Sequence, residues 1–513
     1  MENSKKMLKT AGFMAIATFL AKALGLARDM LIAAFFGTGI EADAYMTATR
    51  IPTTLFDIVI GGVISAAFIP VFNSVFEKES REKALEFANR FIGMVLMVTG
   101  LIAILGIAFS DQIISFMAPE FDAKTHELAK ELTMIMFPMI IFTGLAFSFV
   151  GILQSFGEFN IPAIMSLVSN LAVIIYFVIF GKTFGVYGLS ITMLLAWALQ
   201  VIIQIPSLIR FKFKLKPRIN FKDKNIRSAL KLALPMLVST WVQPLYTIVN
   251  TRLASGIYKG VSSLEYANRL YLVVTGVFSF VITNLMFPKM SRANVTGKSD
   301  EAKEMLVMSL KLVTFVILPV MAVFIILAKP IIAILYQHGG FVLEDTMRTG
   351  VALSCYSIGM IGMAYNEILS KTYFSMQNSK TPMTNALISM AVNIVIAYAL
   401  SGTFGIAGLA IATACGSTAN AILNFICIKT HYKSLFSKAD AKSILKITIS
   451  ALIMACAMLV IYSVLSSQIQ LGFWGGIVIG AISGIVGAVI YIVSCVVLKV
   501  DILLDFIKGV KNK

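Results

Sequence analysis

The sequence predicts an all-α integral membrane protein of fourteen transmembrane helices: two pseudo-symmetric six-helix lobes plus two C-terminal helices. Three observations carry this prediction. Hydrophobic residues make up 58% of the 513 and charged residues only 13%, against about 25% charged in soluble domains. Apolar runs of roughly 20 residues, enough to cross about 30 Å of hydrocarbon, recur along the chain. A block in the first half also returns about 220 residues later, which makes the halves repeats of one another.

The expected spans are 7–36, 44–76, 87–109, 130–156, 160–181, 184–210, 226–255, 261–290, 303–328, 347–376, 381–401, 405–429, 442–466 and 471–498. They must be helices, because in lipid only helices and closed barrels satisfy every backbone polar group, and the runs are too long for barrel strands. The basic stretch Met1–Thr10 leads into an apolar run too long for a signal peptide and without a small-residue cleavage site, so it reads as a retained first helix.

Loop charge sets the orientation. Arg210 to Arg227 is overwhelmingly basic, and the loops after spans eight, ten and twelve carry Lys289, Arg292, Lys298, Lys371, Lys380, Lys429, Lys433, Lys438 and Lys442. Loops after odd spans are short or acidic, with Glu41, Asp43, Asp111, Glu120, Asp122, Glu127 and Glu131. By the positive-inside rule both termini are cytoplasmic, in the cell membrane. The same rule accounts for the net charge of +17 without nucleic acid as a partner.

The repeat aligns Lys182-Thr-Phe-Gly-Val-Tyr-Gly with Gly402-Thr-Phe-Gly-Ile-Ala-Gly, and Pro162 with Pro382. Pro70 and Pro288 are expected to end the second span of each half, and Arg50 and Arg269 fall near equivalent places. The domains read as an N-lobe 1–210, a basic linker 211–225, a C-lobe 226–430, and 431–513 with spans thirteen and fourteen. Six spans return the chain to the same side, so the repeats are parallel and flank a cleft suited to alternating access.

No nucleotide-binding loop, zinc-hydrolase motif or paired-cysteine motif occurs, so the chain does not read as an enzyme and implies neither metal nor cofactor. A membrane glycosyltransferase would need carboxylates on a sizeable outer loop. Glu120, Asp122, His126 and Glu127 are the only candidates, and a solvated loop face explains them. Cys355, Cys415, Cys427, Cys456 and Cys495 all sit in apolar segments and read as buried structural thiols.

The informative residues are charges inside spans. A cation at the centre of a membrane helix costs about 2.5–3.5 kcal/mol on insertion scales. Span one nevertheless carries Lys22, Arg28 and Asp29, and span two carries Asp43, Arg50 and Asp57 at intervals of seven, on one face. The C-lobe adds Arg252 and Arg269. Internal salt bridging, Arg28 with Asp29 or Asp57, is the plain explanation. A cationic cleft for a phosphorylated ligand is the functional one, since guanidinium suits bidentate phosphate contacts. One cation from each lobe would then clamp a diphosphate. Asp57 and Glu367 are candidates for gating or coupling, although Glu367 is expected to pair with Lys371 four residues on. Gly61-Gly62 and Ser65-Ala66-Ala67 read as small residues for close helix packing.

At these residues the chain resembles the MurJ/MviN family of lipid II flippases. Gly25-Leu-Ala-Arg-Asp29, Phe36-Gly-Thr-Gly39, Glu41-Ala-Asp-Ala-Tyr45, Arg50-Ile-Pro52 and Ser65-Ala-Ala-Phe-Ile-Pro70 carry the likeness. Tyr266-Ala-Asn-Arg-Leu270, Leu335-Tyr-Gln-His-Gly339 and Ser379-Lys-Thr-Pro382 continue it in order. The resemblance implies the multidrug/oligosaccharidyl-lipid/polysaccharide exporter fold. It implies a substrate, lipid II: undecaprenyl diphosphate bearing the disaccharide pentapeptide of peptidoglycan. It implies cavity cations at Lys22, Arg28, Arg50 and Arg269, with Asp29 and Asp43 beside them.

Spans thirteen and fourteen, with Gly475, Gly476, Gly480, Gly484 and Gly487, would house the lipid tail. Lys22 stands where arginine is common, and Gly61 where glutamate is frequent. Expected partners are lipid II, membrane lipids and cell-wall synthesis enzymes. The expected driving force is the membrane potential or a monovalent cation. Rival readings are a flippase for another polyprenyl-diphosphate oligosaccharide and a cation-coupled drug exporter, which would carry more acid than base in its cavity.

Overall fold

The structure is a computed structural model that describes residues 2–60, 63–432 and 435–504. It is helical throughout, with no strand among the described residues. The chain forms two compact units, Met1–Lys259 and Gly260–Lys513.

The first unit runs α1 (Glu2–Phe36), α2 (Ile40–Val59), a π-helical turn (Ile64–Phe68), α3 (Ile69–Lys78), α4 (Arg81–Ala108), α5 (Ser110–Met117), α6 (Ala123–Met136), α7 (Met139–Ser155), α8 (Asn160–Ile179), α9 (Gly181–Ile202), α10 (Ile205–Arg210), α11 (Lys224–Thr240) and α12 (Val242–Ser255). The second runs α13 (Gly260–Val295), α14 (Ser299–Ile326), α15 (Ala328–Tyr336), α16 (Leu343–Ser357), α17 (Met360–Ser375), α18 (Lys380–Phe404), α19 (Ile406–His431), α20 (Lys438–Gln468) and α21 (Phe473–Val497). The helices of the expected seventh span, α11 and α12, pack on α2, α3, α4 and α5 and so fall in the first unit.

Each of the fourteen expected segments is mostly helical over its described residues. Among the described residues, eight are single helices long and apolar enough to cross a membrane, or nine with the pair α6–α7, bent by 40°. The others carry charges or a break. Span two is the clearest: α2 stops at Val59, and the chain resumes through the π turn into α3. Pro70 therefore does not end the span. It occupies the first turn of α3, where its missing N–H costs least. Gly61 and Gly62 lie outside the described residues; Ala67 is fully buried.

The repeat extends to irregularities of the backbone. Gly185 and Gly405 take nearly the same left-handed conformation, φ 52° and 54°, at matching helix starts. Gly157 and Gln377 both have positive φ in the turns before α8 and α18. Short helices α5 and α15 follow α4 and α14, and the breaks between α6 and α7 and between α16 and α17 also correspond.

The glycine face of α21 packs rather than opens. A Cβ on Gly476 would lie 3.2 Å from Ala333 of α15, and one on Gly487 would lie 2.5 Å from Met458 of α20. Small residues bring these helices together by dispersion, as lipid offers no hydrophobic drive. The thiols are less buried than expected. Cys495 is buried, Cys355, Cys415 and Cys427 are half-buried, and Cys456 is exposed on α20. A lipid-facing helix surface is itself apolar, so an apolar neighbourhood in sequence does not imply burial.

A charge cluster ties the last helices to α14. Lys311 Nζ lies 2.7 Å from Asp501 Oδ2 and 3.3 Å from Asp440 Oδ1, and Ser443 donates to Asp501. Partial burial pushes the Asp501 carboxyl up. Its bonds to Lys311 and Ser443 outweigh that and hold it below the usual carboxylate range. A group lowered in this way stabilises the fold above its unfolded pKa, and the contribution is lost as pH falls through the folded value. Lys311→Ala is expected to cost about 1–3 kcal/mol, less than a fully buried pair because Asp501 is partly exposed. In detergent unfolding curves, the gap from wild type should close only below about pH 4.

Candidate functional site

The site is built on α1. Arg28 donates through Nε (3.1 Å) and Nη2 (2.9 Å) to Asp29 Oδ1, and through Nη1 to Asn170 Oδ1 of α8 at 3.0 Å. Asn170 Nδ2 in turn donates to the Ala21 carbonyl at 3.0 Å, so the amide clasps α1 at two heights. Asp29 is buried, while the Arg28 side chain keeps 20% of its surface open. Three bonds leave two of the five guanidinium N–H donors for a ligand.

Arg28 lines a cavity of about 490 Å³ between α1, α7, α8 and α9. Asn170, Gln154, Gln200, Ser166 and Ser169 give its wall hydrogen-bonding character, and Phe147, Phe159 and Trp197 give it aromatic surface. A cation held by one carboxylate and one amide, beside a partly polar cavity, can receive an anionic oxygen without rearranging.

The other expected residues divide. Lys22 is half-buried on α1; although it shares a helix face with Asp29, the aspartate is engaged by Arg28 instead. On the α2 stripe, Asp43 is buried, Arg50 half-buried and Asp57 exposed, so the stripe runs from packed to open. Arg269 on α13 donates to Glu265 Oε1 at 2.9 Å, one turn earlier. Arg252 donates Nη1 to the Phe116 carbonyl at 2.6 Å and stacks over the Phe116 ring, tying α12 to α5. Glu367 and Lys371 are half-buried on α17 and form no ion pair among the described residues.

Two of the loop carboxylates, Asp122 and Glu127, have structural work. Asp122 caps α6 by accepting from the amides of Lys124 and Thr125, and Glu127 pairs with Lys130. Among the described residues no cluster of three histidines, cysteines or carboxylates could hold a metal.

Uncharged amides also pair within the spans. In the second unit, Asn424 donates to Asn366 and Asn420, Asn385 donates to Asn424, and the Tyr373 hydroxyl donates to the Asn424 carbonyl. The repeat held the signal: Gln200 in α9 and Gln204 in the turn before α10 stand 220 residues before Asn420 and Asn424 in α19.

A polytopic helical bundle with internal repeats and an intramembrane cation is the architecture of a transporter. The profile described as lipid II flippase MurJ matches residues 32–479. A probable lipid II flippase MurJ of Buchnera aphidicola subsp. Schizaphis graminum is 29% identical over 87% of this chain and 88% of its own length. The lipid II flippase MurJ of Burkholderia cenocepacia is 27% identical over 82% and 83%. Among solved structures, a lipid II flippase MurJ in an inward closed conformation superposes with a TM-score of 0.79 at 28% identity, covering 94% of this chain and 99% of that one. An inward-facing multidrug resistance transporter of the MOP superfamily gives 0.69 at 16% identity, a likeness of fold alone. The chain belongs to the lipid II flippase MurJ family.

Asn170→Leu should leave an Arg28 donor unmatched and remove the second hydrogen bond to the Ala21 carbonyl. The expected loss is about 1–3 kcal/mol of stability, read as a lowered thermal midpoint in detergent.

Proposed function

We propose that the protein is a flippase that carries lipid II from the cytoplasmic to the outer leaflet by alternating access. The observation that supports this best is Arg28, a guanidinium held within a membrane helix by Asp29 and Asn170, with donors to spare and a cavity beside it. Diphosphate oxygens match those donors, and family membership supplies the substrate class. Lys22 and Arg50 supply further positive charge in the first unit and Arg269 in the second, with Asp29 and Asp43 in the first and Glu265 in the second offsetting the cations of their own unit. Arg252 belongs to this set as a more peripheral cation. Asp57 and Glu367 act in gating or coupling. Lipid II and the surrounding lipids are the partners, with cell-wall synthesis enzymes supplying the substrate. Both termini face the cytoplasm.

Complementation tests the reading. Cells depleted of their own lipid II flippase should be rescued by the wild-type chain and not by stably expressed Arg28→Ala or Arg269→Ala. Failure of a well-expressed wild type would shift the substrate to another lipid-linked glycan. Rescue by both variants would return those arginines to a structural role.

Membrane potential is the proposed driving force, since one charge moved through 100 mV is worth about 2.3 kcal/mol. Collapsing the potential should trap one facing, seen as changed labelling of cysteines placed near Arg28. Unchanged labelling would exclude a voltage-driven reset.

A further inference from the structure

The segment 211–223 carries five basic residues, Lys212, Lys214, Lys216, Arg218 and Lys222, against one acid, Asp223, and forms no helix, yet it is firmly placed. Phe211 stacks on Phe156 at 5.0 Å, and Phe213 is buried against Phe149. Asn89 of α4 grips the segment three times: it donates to the Lys214 carbonyl, accepts from the Lys216 amide, and receives the Arg218 amide on its own carbonyl. Arg218 backbone passes so close to Gly93 that a Cβ there would lie 2.4 Å from its carbonyl oxygen. Arg90 then fastens the far end through Asp223.

What this anchoring leaves outside is unusual for a solvated loop. Leu215, Ile219 and Phe221 are 47%, 55% and 48% exposed. They alternate with Lys214, Lys216, Arg218 and Lys222, all exposed and without an ion pair among the described residues. The level along the span is fixed as well. Asn89 and Arg90 are the last strongly polar residues of α4 before Phe91–Ala108, which contains no charge. The segment therefore lies at the boundary between the polar and apolar parts of a membrane-crossing helix, where lipid headgroups meet acyl chains.

We propose that residues 211–223 form a docking surface for anionic phospholipid: Leu215, Ile219 and Phe221 enter the headgroup–acyl boundary while Lys214, Lys216, Arg218 and Lys222 bind lipid phosphates. Each basic side chain near an anionic membrane surface adds attraction that salt screens within a Debye length. Exposed aliphatic and aromatic groups gain by leaving water. Neither gain depends on what the protein transports.

Hydrogen exchange of the full-length protein in nanodiscs tests this. Amides of 215, 216 and 218–221 should exchange at least tenfold more slowly in discs containing phosphatidylglycerol than in purely zwitterionic discs. That difference should vanish in 1 M salt and in K214Q/K216Q/R218Q/K222Q. L215S/I219S/F221S, which keeps every charge, should lose most of it too. Unfolding midpoints near wild type would show that both variants remain folded. Equal exchange in the two kinds of disc would overturn the proposal. So would equal protection by soluble glycerol phosphate in zwitterionic discs, which would mark a simple anion site instead of a lipid surface.

Discussion

Everything polar inside a span must find its partner within the protein, because hydrocarbon offers none. Arg28 meets this requirement through Asp29 and Asn170, and Lys311 through Asp440 and Asp501. Buried hydroxyls meet it locally: Thr99, Thr143, Ser148 and Ser190 each donate to the carbonyl four residues earlier. Groups too costly to leave alone thereby fix which helices are neighbours. Asn170 holds α8 to α1, and the Asn424 network holds α17, α18 and α19 together.

The same constraint explains where helices can break. A break frees backbone groups, so it is tolerated where packing or a polar neighbour covers it. The π turn Ile64–Phe68 packs against α7, where a Cβ on Gly151 would come within 2.7 Å of the Phe68 ring. The Trp241 indole, between α11 and α12, donates to the Ile58 carbonyl near the end of α2. The breaks between α4 and α5 and between α6 and α7 recur between α14 and α15 and between α16 and α17, whereas the π turn and the α11–α12 break have continuous helices, α13 and α1, as their counterparts in the other half. Such breaks place bendable points within spans, as a protein that changes its facing needs.

For function, the consequence is that charge can be kept within spans without being spent there. Arg28 is satisfied enough to be stable and still has donors to offer. Arg269, braced by Glu265, follows the same principle in the second unit. Arg252, by contrast, gives its guanidinium to Phe116, and its contribution to packing is plain.

The sequence by itself determined the helical membrane class, the fourteen segments, the repeat and the charged residues worth examining. Those depend on run length, charge and periodicity, which are properties of the chain. Only the tertiary structure decided that Arg28 pairs with Asp29 and Asn170, because residue 170 is distant in sequence and an asparagine in an apolar run carries no charge signal. It decided that Glu367 and Lys371 stay apart despite their spacing, since side-chain direction depends on neighbouring helices. It also decided that the α21 glycines meet α15 and α20, and that Cys456 faces outward. In a membrane protein the buried and lipid-facing sides are alike in hydrophobicity, so composition marks a span without revealing which face is packed.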